Sequence, residues 1–101
     1  MTAFVKIYQS LLSSSIWQES KDVKVLWITM LAASDADGVV EGTIPGLANA
    51  AGLTIDECKA ALQVLLAPDE YSRTKQHKGR RIEAVDVGWR ILNRSSYRDR
   101  R

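Results

Sequence analysis

The spacing of apolar positions changes along the chain, and each change predicts a different element. Residues 4–8 alternate loosely between apolar and polar and are rich in β-branched and aromatic types, which favours a short strand. Residues 10–17 follow as a short helix or turn. From Asp22 to about Ala33 the apolar residues recur at helical spacing, and Asp22 suits the positive end of a helix dipole. This pattern predicts a first helix that is buried through Trp27.

The polar residues after this helix predict a turn and a very short strand. Residues 34–38 combine Ser, Asp and Gly, the residue types that favour turns. Residues 39–41 leave room for only a very short strand before the next helix signal. Asp35, Asp37 and Gly38 match part of a calcium-binding loop, but the other ligand positions and the closing glutamate are missing. The segment is therefore interpreted as a turn.

A second helix is predicted from about Ile44 to Ala51. Thr43 is placed as its N-cap, and Pro45 lies in the first turn, where a missing N–H group costs nothing. Gly52 is placed to end this helix.

A third helix is predicted almost immediately after the second. Thr54 and Glu57 form a Thr-x-x-Glu capping box, and Pro68 ends the helix. Its apolar positions fall at i, i+3, i+4, i+7 and i+8 and form one stripe: Cys58, Ala61, Leu62, Leu65 and Leu66. The opposite, outer face then carries Thr54, Ile55, Asp56, Lys59, Ala60 and Gln63.

Two further strands and a charged end follow a polar segment. Residues 80–85 and 89–93 both have the composition of strands, and residues 86–88 supply a hairpin turn between them. Residues 95–101 are interpreted as a charged tail or the start of a linker. A chain of 101 residues is long enough for one core, so we expect one domain over residues 1–94.

The order of these elements predicts a winged helix. Two short helices joined through a glycine are typical of a helix-turn-helix, in which small residues such as Ala48 and Gly52 let the helices cross closely. The expected fold is α+β: a winged helix-turn-helix with three main helices and a small antiparallel sheet that includes a C-terminal β-hairpin wing. The third helix, Thr54 to Leu66, would be the recognition helix.

The formal net charge of +2 hides an uneven distribution. Residues 1–72 carry four lysines against nine acids, a net charge of −5. Residues 73–101 carry ten Lys and Arg against three acids, a net charge of +7. The C-terminal part therefore suits an anionic partner, unless its charges are simply solvated.

The sequence argues against an enzyme. It has no Gly-rich phosphate loop, no paired-carboxylate motif and no Ser-His-Asp or Cys-His signature. Cys58, the only cysteine, is expected to be a packed thiol, and His77 lacks neighbouring metal ligands. We therefore expect no cofactor and no metal. Without a secretory signal or a run of roughly 18 apolar residues, we expect a cytosolic protein with no membrane partner.

The best candidates for DNA phosphate contacts lie in a basic segment, residues 73–81, interpreted as a cationic wing that follows the DNA backbone without reading its sequence. Its cations are Arg73, Lys75, Lys78, Arg80 and Arg81. The alternative interpretation is a solvated loop between a helix and a strand.

The third helix is less well suited to DNA. Thr54, Lys59 and Gln63 can contact bases or phosphates. Asp56 and Glu57 favour the helix dipole but repel phosphates. The charges thus favour weak DNA binding led by the basic segment, or a helix that faces a protein.

Five stretches of the chain together resemble the N-terminal winged-helix domain of phage replisome organisers, a family akin to the DnaD-type primosomal proteins. They are residues 4–8 (FVKIY), 35–40 (DADGVV), 44–48 (IPGLA), 68–73 (PDEYSR) and 88–93 (GWRILN). The resemblance covers nearly the whole chain. It implies a domain that binds single- or double-stranded DNA at an origin or fork, self-associates, and helps to recruit the host helicase or helicase loader. Two other interpretations stay open: a protein interaction or dimerisation module, and a transcriptional regulator with the same fold.

Overall fold

The computed structural model describes residues 9–68 and 80–92 of the chain. The strand predicted at residues 4–8, most of the basic segment and the charged tail lie outside the described residues. Within the described ranges the fold is α+β, with three α-helices, a three-stranded antiparallel sheet and two short 3-10 helices. In chain order the elements are 3-10 helices at Gln9–Ser13 and Ser15–Gln18, α1 at Lys21–Ala33, β1 at Val39–Glu41, α2 at Ile44–Ala51, α3 at Ile55–Leu66, β2 at Ile82–Val85 and β3 at Gly88–Ile91.

The segment predicted as a short helix or turn consists of the two 3-10 helices. Three consecutive serines, residues 13–15, fall where one helix ends and the other begins. Ser14 caps the second helix, because its Oγ accepts a hydrogen bond from the Ile16 N–H at 3.4 Å. Serine side chains compete for backbone hydrogen bonds in this way, which favours two short turns over one α-helix.

Helix α1 forms where the sequence predicts it. Ser20 is its N-cap and accepts a hydrogen bond from the Val23 N–H at 3.3 Å. Asp22 lies in the first turn, as expected. Trp27 is fully buried, so this large side chain fixes α1 against the core.

Both ends of α2 match the predicted signals. The Oγ1 of Thr43 accepts a hydrogen bond from the Gly46 N–H at 3.3 Å, and Pro45 lies in the first turn. Gly52 ends the helix in the left-handed region, with φ of 74°, and its N–H donates to the Ala48 carbonyl. A Cβ at Gly52 would meet nothing within 4 Å, so the backbone angle rather than space favours glycine.

Asp35 holds the turn between α1 and β1. Its Oδ1 accepts hydrogen bonds from the N–H groups of Asp37 at 2.8 Å and Val39 at 3.0 Å. Its own N–H donates to the Val39 carbonyl at 2.9 Å. The segment is therefore a turn, as interpreted, and the described part of the chain holds no group of three or more potential metal ligands.

The three strands form one antiparallel sheet in the order β1-β3-β2. Val40 pairs with Trp89, and Ile82 pairs with Ile91. All four side chains are buried, so one face of the sheet covers the core.

The predicted hairpin is confirmed, but its strands are shorter than predicted. Its turn consists of Asp86 and Val87, and β3 ends at Ile91. Gly88, which the sequence assigns to the turn, is the first residue of β3 and has a φ of 154°. A Cβ at Gly88 would overlap the Val40 carbonyl oxygen. The close approach of β3 to β1 therefore requires glycine at this position.

The core lies between the three helices and the buried face of the sheet. Both α1 and α2 pack against α3, and α3 also packs against β2. The largest fully buried side chains come from α1, α3 and β2: Trp27, Leu26, Met30, Leu31, Leu65, Ile82 and Cys58. Trp17 packs at the edge of this core, with the Lys24 Nζ 4.9 Å from its ring centroid.

Candidate nucleic-acid interface

The helix pair α2 and α3 frames the candidate interface. The helices are joined through Gly52, Leu53 and Thr54, and the Leu53 N–H donates back to the Ala48 carbonyl at 2.9 Å. Ala48 is 2% exposed, and its small side chain suits a close approach of the two helices. The tight connection and the packing of α2 on α3 are expected of a helix-turn-helix.

The predicted capping box fixes the start of α3. The Thr54 Oγ1 accepts a hydrogen bond from the Glu57 N–H at 3.1 Å, and the Glu57 Oε1 accepts one from the Thr54 N–H at 2.8 Å. In this arrangement the hydroxyl oxygen of Thr54 is an acceptor, so its proton can still be donated to a phosphate oxygen. The capping box thus fixes where α3 begins and also orients the Thr54 hydroxyl, one of the candidate DNA contacts.

Lys59 and Gln63 lie on the exposed face of α3, as predicted. They are one helical turn apart, so their side chains are neighbours on the same side of the helix. Ile55, which is 45% exposed, and Val64, which is 39% exposed, lie at the two margins of this face. The face therefore combines a cation and an amide with an apolar side chain on either side.

The start of α3 is acidic. Asp56 and Glu57 both lie in its first turn, where they favour the helix dipole. Asp56 precedes Lys59 by three residues, which makes the two side chains neighbours and lowers the positive potential near Lys59. Because α3 carries one lysine against two acids, its net charge of −1 opposes close approach to a polyanion.

Only the end of the basic segment falls within the described residues. Arg73, Lys75 and Lys78 lie outside them. Arg80 is half-buried and directly precedes Arg81 and β2. The structure describes two candidate cations of this segment, Arg80 and Arg81, and Arg80 is the more exposed of the two.

Arg81 corrects the expectation that the whole segment faces a partner. Its side chain is only 8% exposed, and its Nη2 donates to the Ser15 Oγ at 2.6 Å and to the Ser14 Oγ at 3.4 Å. Its N–H donates to the Leu65 carbonyl at 3.1 Å, and its carbonyl accepts from the Leu92 N–H at 2.9 Å. Because the fold holds both its backbone and its guanidinium, Arg81 acts as a structural residue.

The tip of the hairpin lies away from the described end of the basic segment. The tip consists of Asp86 and Val87, and Val87 is 54% exposed. The Gly42 N–H donates to the Val87 carbonyl at 2.9 Å, which ties the tip to the connection between β1 and α2. Arg80 and Arg81 lie at the opposite end of β2 from this tip.

Arg90 is an exposed cation that the sequence analysis missed. It lies on β3 opposite Glu83, and its Nη1 is 3.0 Å from the Glu83 Oε2. The two side chains are 50% and 33% exposed, so the pair contributes at most about 1 kcal/mol to stability. The alternation along β3 could have identified Arg90, because Trp89 and Ile91 on either side of it are buried.

The described residues are acidic overall. They carry six Lys and Arg against nine acids, a net charge of −3. The remaining residues of the chain carry eight Lys and Arg against three acids, a net charge of +5. Most of the charge that could attract a nucleic acid therefore belongs to residues outside the described ranges.

Cys58 is a packed thiol, as expected. It is fully buried, and burial raises the pKa of the thiol above its ordinary value of 9.0. The thiol is therefore a poor nucleophile near neutral pH.

Among the helices of the described ranges, none has the length and apolar character to span a membrane.

Together these features define a small α+β domain whose arrangement is consistent with a winged helix. Comparisons of the chain with protein-family models, with curated proteins and with solved structures found no match in any of the three. The resemblance to phage replisome organisers therefore rests on the five sequence stretches alone.

Proposed function

We propose that this chain is the DNA-binding winged-helix domain of a phage or prophage replication initiation protein. The observation that supports this most is the tight α2–α3 pair, which leaves Lys59 and Gln63 on an exposed face of α3. The second helix of a helix-turn-helix is the element that such domains place against DNA. The role in replication rests on the sequence resemblance.

The proposed binding is weak and depends mainly on phosphate contacts. Asp56 and Glu57 oppose close contact between the start of α3 and the DNA backbone. Two of the described cations could reach phosphates: Lys59 on the exposed face of α3, and Arg80 beside the start of β2. Further charge comes from Arg73, Lys75 and Lys78. Contacts of this kind do not read sequence, so we expect similar affinities for unrelated sequences.

Fluorescence anisotropy with labelled single- and double-stranded DNA over a salt series tests this proposal. Replacing Lys75, Lys78 and Arg80 together with Ala should weaken binding at low salt. The log–log salt slope on duplex DNA should fall by about 0.9 for each phosphate that the variant no longer neutralises. Arg81 is left unchanged, because its replacement would disturb the fold rather than report on DNA.

A matched control removes the same net charge elsewhere on the chain. It replaces Lys21, Lys24 and Arg90 with Ala, three cations on α1 and β3. If the basic segment binds phosphates, this variant should keep most of its affinity. Equal decreases in the two triple variants would show that only net charge matters, and no binding to either form of DNA at low salt would contradict DNA binding altogether.

One observation favours a second function, the docking of a protein partner on α3. Ile55 and Val64 are exposed at the margins of a face that is acidic at its start. A partner such as the host helicase or its loader could bury both side chains. Replacing Ile55 and Val64 with Ser should then weaken the partner's binding while leaving DNA affinity unchanged. A transcriptional regulator with this fold would instead prefer one DNA sequence strongly in the same anisotropy assay.

A further inference from the structure

The charge along α3 changes sign from its first turn to the chain that follows its end. Both acids of the helix, Asp56 and Glu57, lie in the first turn. From Cys58 to Leu66 the helix has no acid and one cation, Lys59. Residues 67–80, which connect α3 to β2, carry four Lys and Arg against two acids. A polyanion is therefore repelled at the N-terminal end of α3 and attracted towards its C-terminal end.

The capping box fixes negative charge at the N-terminal end. The Glu57 Oε1 accepts a hydrogen bond from the Thr54 N–H at 2.8 Å, so this carboxylate cannot turn away from an approaching phosphate without losing that bond. Asp56, beside it, is exposed. The two carboxylates also offset the positive end of the helix dipole. The N-terminal end of α3 therefore lacks the potential that lets other helix N-termini bind phosphate.

The C-terminal end presents fewer unpaired carbonyl groups than a helix end usually does. The Ala67 N–H donates to the carbonyls of Gln63 at 3.1 Å and Val64 at 3.3 Å. The Arg81 N–H donates to the Leu65 carbonyl at 3.1 Å. Three of the last four carbonyl groups of α3 thus have a partner within the chain. This pairing lowers the negative potential that a helix C-terminus presents to a phosphate.

The hydrogen bond from Arg81 also brings a cation to this end of α3. Its N–H belongs to the peptide bond that joins it to Arg80, so the main chain of Arg80 lies against the last turn of the helix. Gln63 is exposed two residues before Leu65, and its side-chain amide carries two N–H donors. The fold therefore holds a cation from the start of β2 and an uncharged donor from α3 at the same end of the helix.

We propose that α3 meets DNA with its C-terminal end, where Gln63 and Arg80 contact the phosphate backbone and the acidic first turn faces away. This inference rests on the proposed function and names the part of α3 that performs it. It reverses the usual arrangement of a helix-turn-helix, in which residues at the N-terminal end of the second helix contact base edges. Lys59 then lies at the margin of the contact, and Thr54 lies outside it.

The length of α3 makes the separation of the two ends effective. Asp56 and Gln63 are seven residues apart, which corresponds to about 10 Å along the helix axis. This distance is about one Debye length at about 0.1 M salt, so the acids are largely screened from a phosphate beside Gln63. At lower salt their repulsion still reaches that phosphate and weakens binding.

Anisotropy titrations with duplex DNA at about 0.1 M salt test the proposal by adding one negative charge at either end of α3. Gln63→Glu replaces the amide with a carboxylate of almost the same shape. Ile55→Glu is the matched control, because it adds the same charge at the first residue of α3, which is 45% exposed. We expect Gln63→Glu to weaken binding by at least about tenfold and Ile55→Glu by less than about threefold. Thermal unfolding checks that both variants remain folded.

The possible results separate this inference from the proposed function. Equal losses in the two variants, or a larger loss in Ile55→Glu, would overturn the inference while leaving DNA binding intact. Binding that does not respond to Gln63→Glu would do the same. An unmodified chain that binds neither single- nor double-stranded DNA at low salt would contradict the proposed function and the inference together.

Photo-cross-linking locates the contact directly. Gln63→Cys and Ile55→Cys chains are each coupled through the new thiol to an azidophenacyl group, mixed with duplex DNA and irradiated. The native Cys58 is fully buried, so the introduced cysteine should be the one labelled in the folded chain. We expect cross-links to DNA mainly from residue 63. Equal or stronger cross-linking from residue 55 would place the N-terminal end of α3 on the DNA and overturn the proposal.

Discussion

The Arg81 guanidinium donates a 2.6 Å hydrogen bond to the Ser15 hydroxyl and so joins two parts of the chain that are 66 residues apart. Ser15 begins the second 3-10 helix, and Arg81 directly precedes β2. The bond therefore fixes the N-terminal helices against the start of the hairpin. This structural use of one cation removes it from the surface that could bind DNA.

Arg81→Ala should lower the free energy of unfolding by about 2–3 kcal/mol, because it removes a buried guanidinium and its hydrogen bonds to the part-buried hydroxyls of Ser14 and Ser15. Ser15→Ala should cost about 1 kcal/mol, and in a double-mutant cycle the two changes should couple by about 1 kcal/mol. Urea unfolding measures all four chains. Lys59→Ala, an exposed cation, serves as the control and should change stability by less than about 0.5 kcal/mol. Additive effects at Arg81 and Ser15 would show that their hydrogen bond contributes nothing.

Gly88→Ala should be one of the most damaging single substitutions in the sheet. The new Cβ would overlap the Val40 carbonyl oxygen, and the φ of 154° also disfavours a side chain. We expect a decrease in stability of more than about 3 kcal/mol, or failure to fold. Gly42→Ala separates the two causes, because Gly42 has a similar φ of 142° but open space around it. Its stability should fall by only about 1–2 kcal/mol in the same thermal unfolding measurement.

The capping box at α3 makes a milder prediction. Thr54→Ala should lower the free energy of unfolding by about 1 kcal/mol, because the Glu57 N–H no longer has its acceptor. Thr54→Ser keeps the hydroxyl and should be nearly neutral. Chemical denaturation distinguishes the two. A decrease of the same size in Thr54→Ser would assign the effect to the methyl group rather than to the cap.

Local signals were sufficient to predict the helices from the sequence. Thr43, Gly52 and Thr54 act on backbone groups within a few residues, so their types alone fixed where α2 and α3 begin or end. The burial of Arg81 could not be predicted in this way, since it depends on a hydrogen bond to Ser15, which lies 66 residues earlier in the chain. The assignment of Gly88 to the turn failed for a related reason, because its place in β3 depends on pairing with β1.

The buried thiol of Cys58 should make stability depend on alkaline pH. Burial raises the thiol pKa in the folded chain above its ordinary value of 9.0, while the unfolded chain keeps that ordinary value. The contribution of the neutral thiol is therefore complete below pH 9.0 and is lost as the pH rises through the folded pKa. Between about pH 8 and about pH 10, the unfolding free energy should fall more in the native chain than in Cys58→Ala. Equal pH dependence in both chains would contradict the burial effect.

Asp56, one of the two acids in the first turn of α3, provides a test of which surface contacts DNA. Asp56 is the second residue of α3 and is exposed beside Lys59, so Asp56→Asn should remove a repulsion from nearby phosphates. We expect DNA affinity to rise by about two- to fivefold at low salt, with the gain disappearing as salt screens the charge. Asp22→Asn is a matched control. Asp22 is the second residue of α1, and its replacement changes the net charge of the chain by the same amount. Anisotropy titrations that show the same gain for both variants would reflect net charge alone. A gain confined to Asp56→Asn would place the DNA against α3, and no gain in either would favour a protein-facing helix.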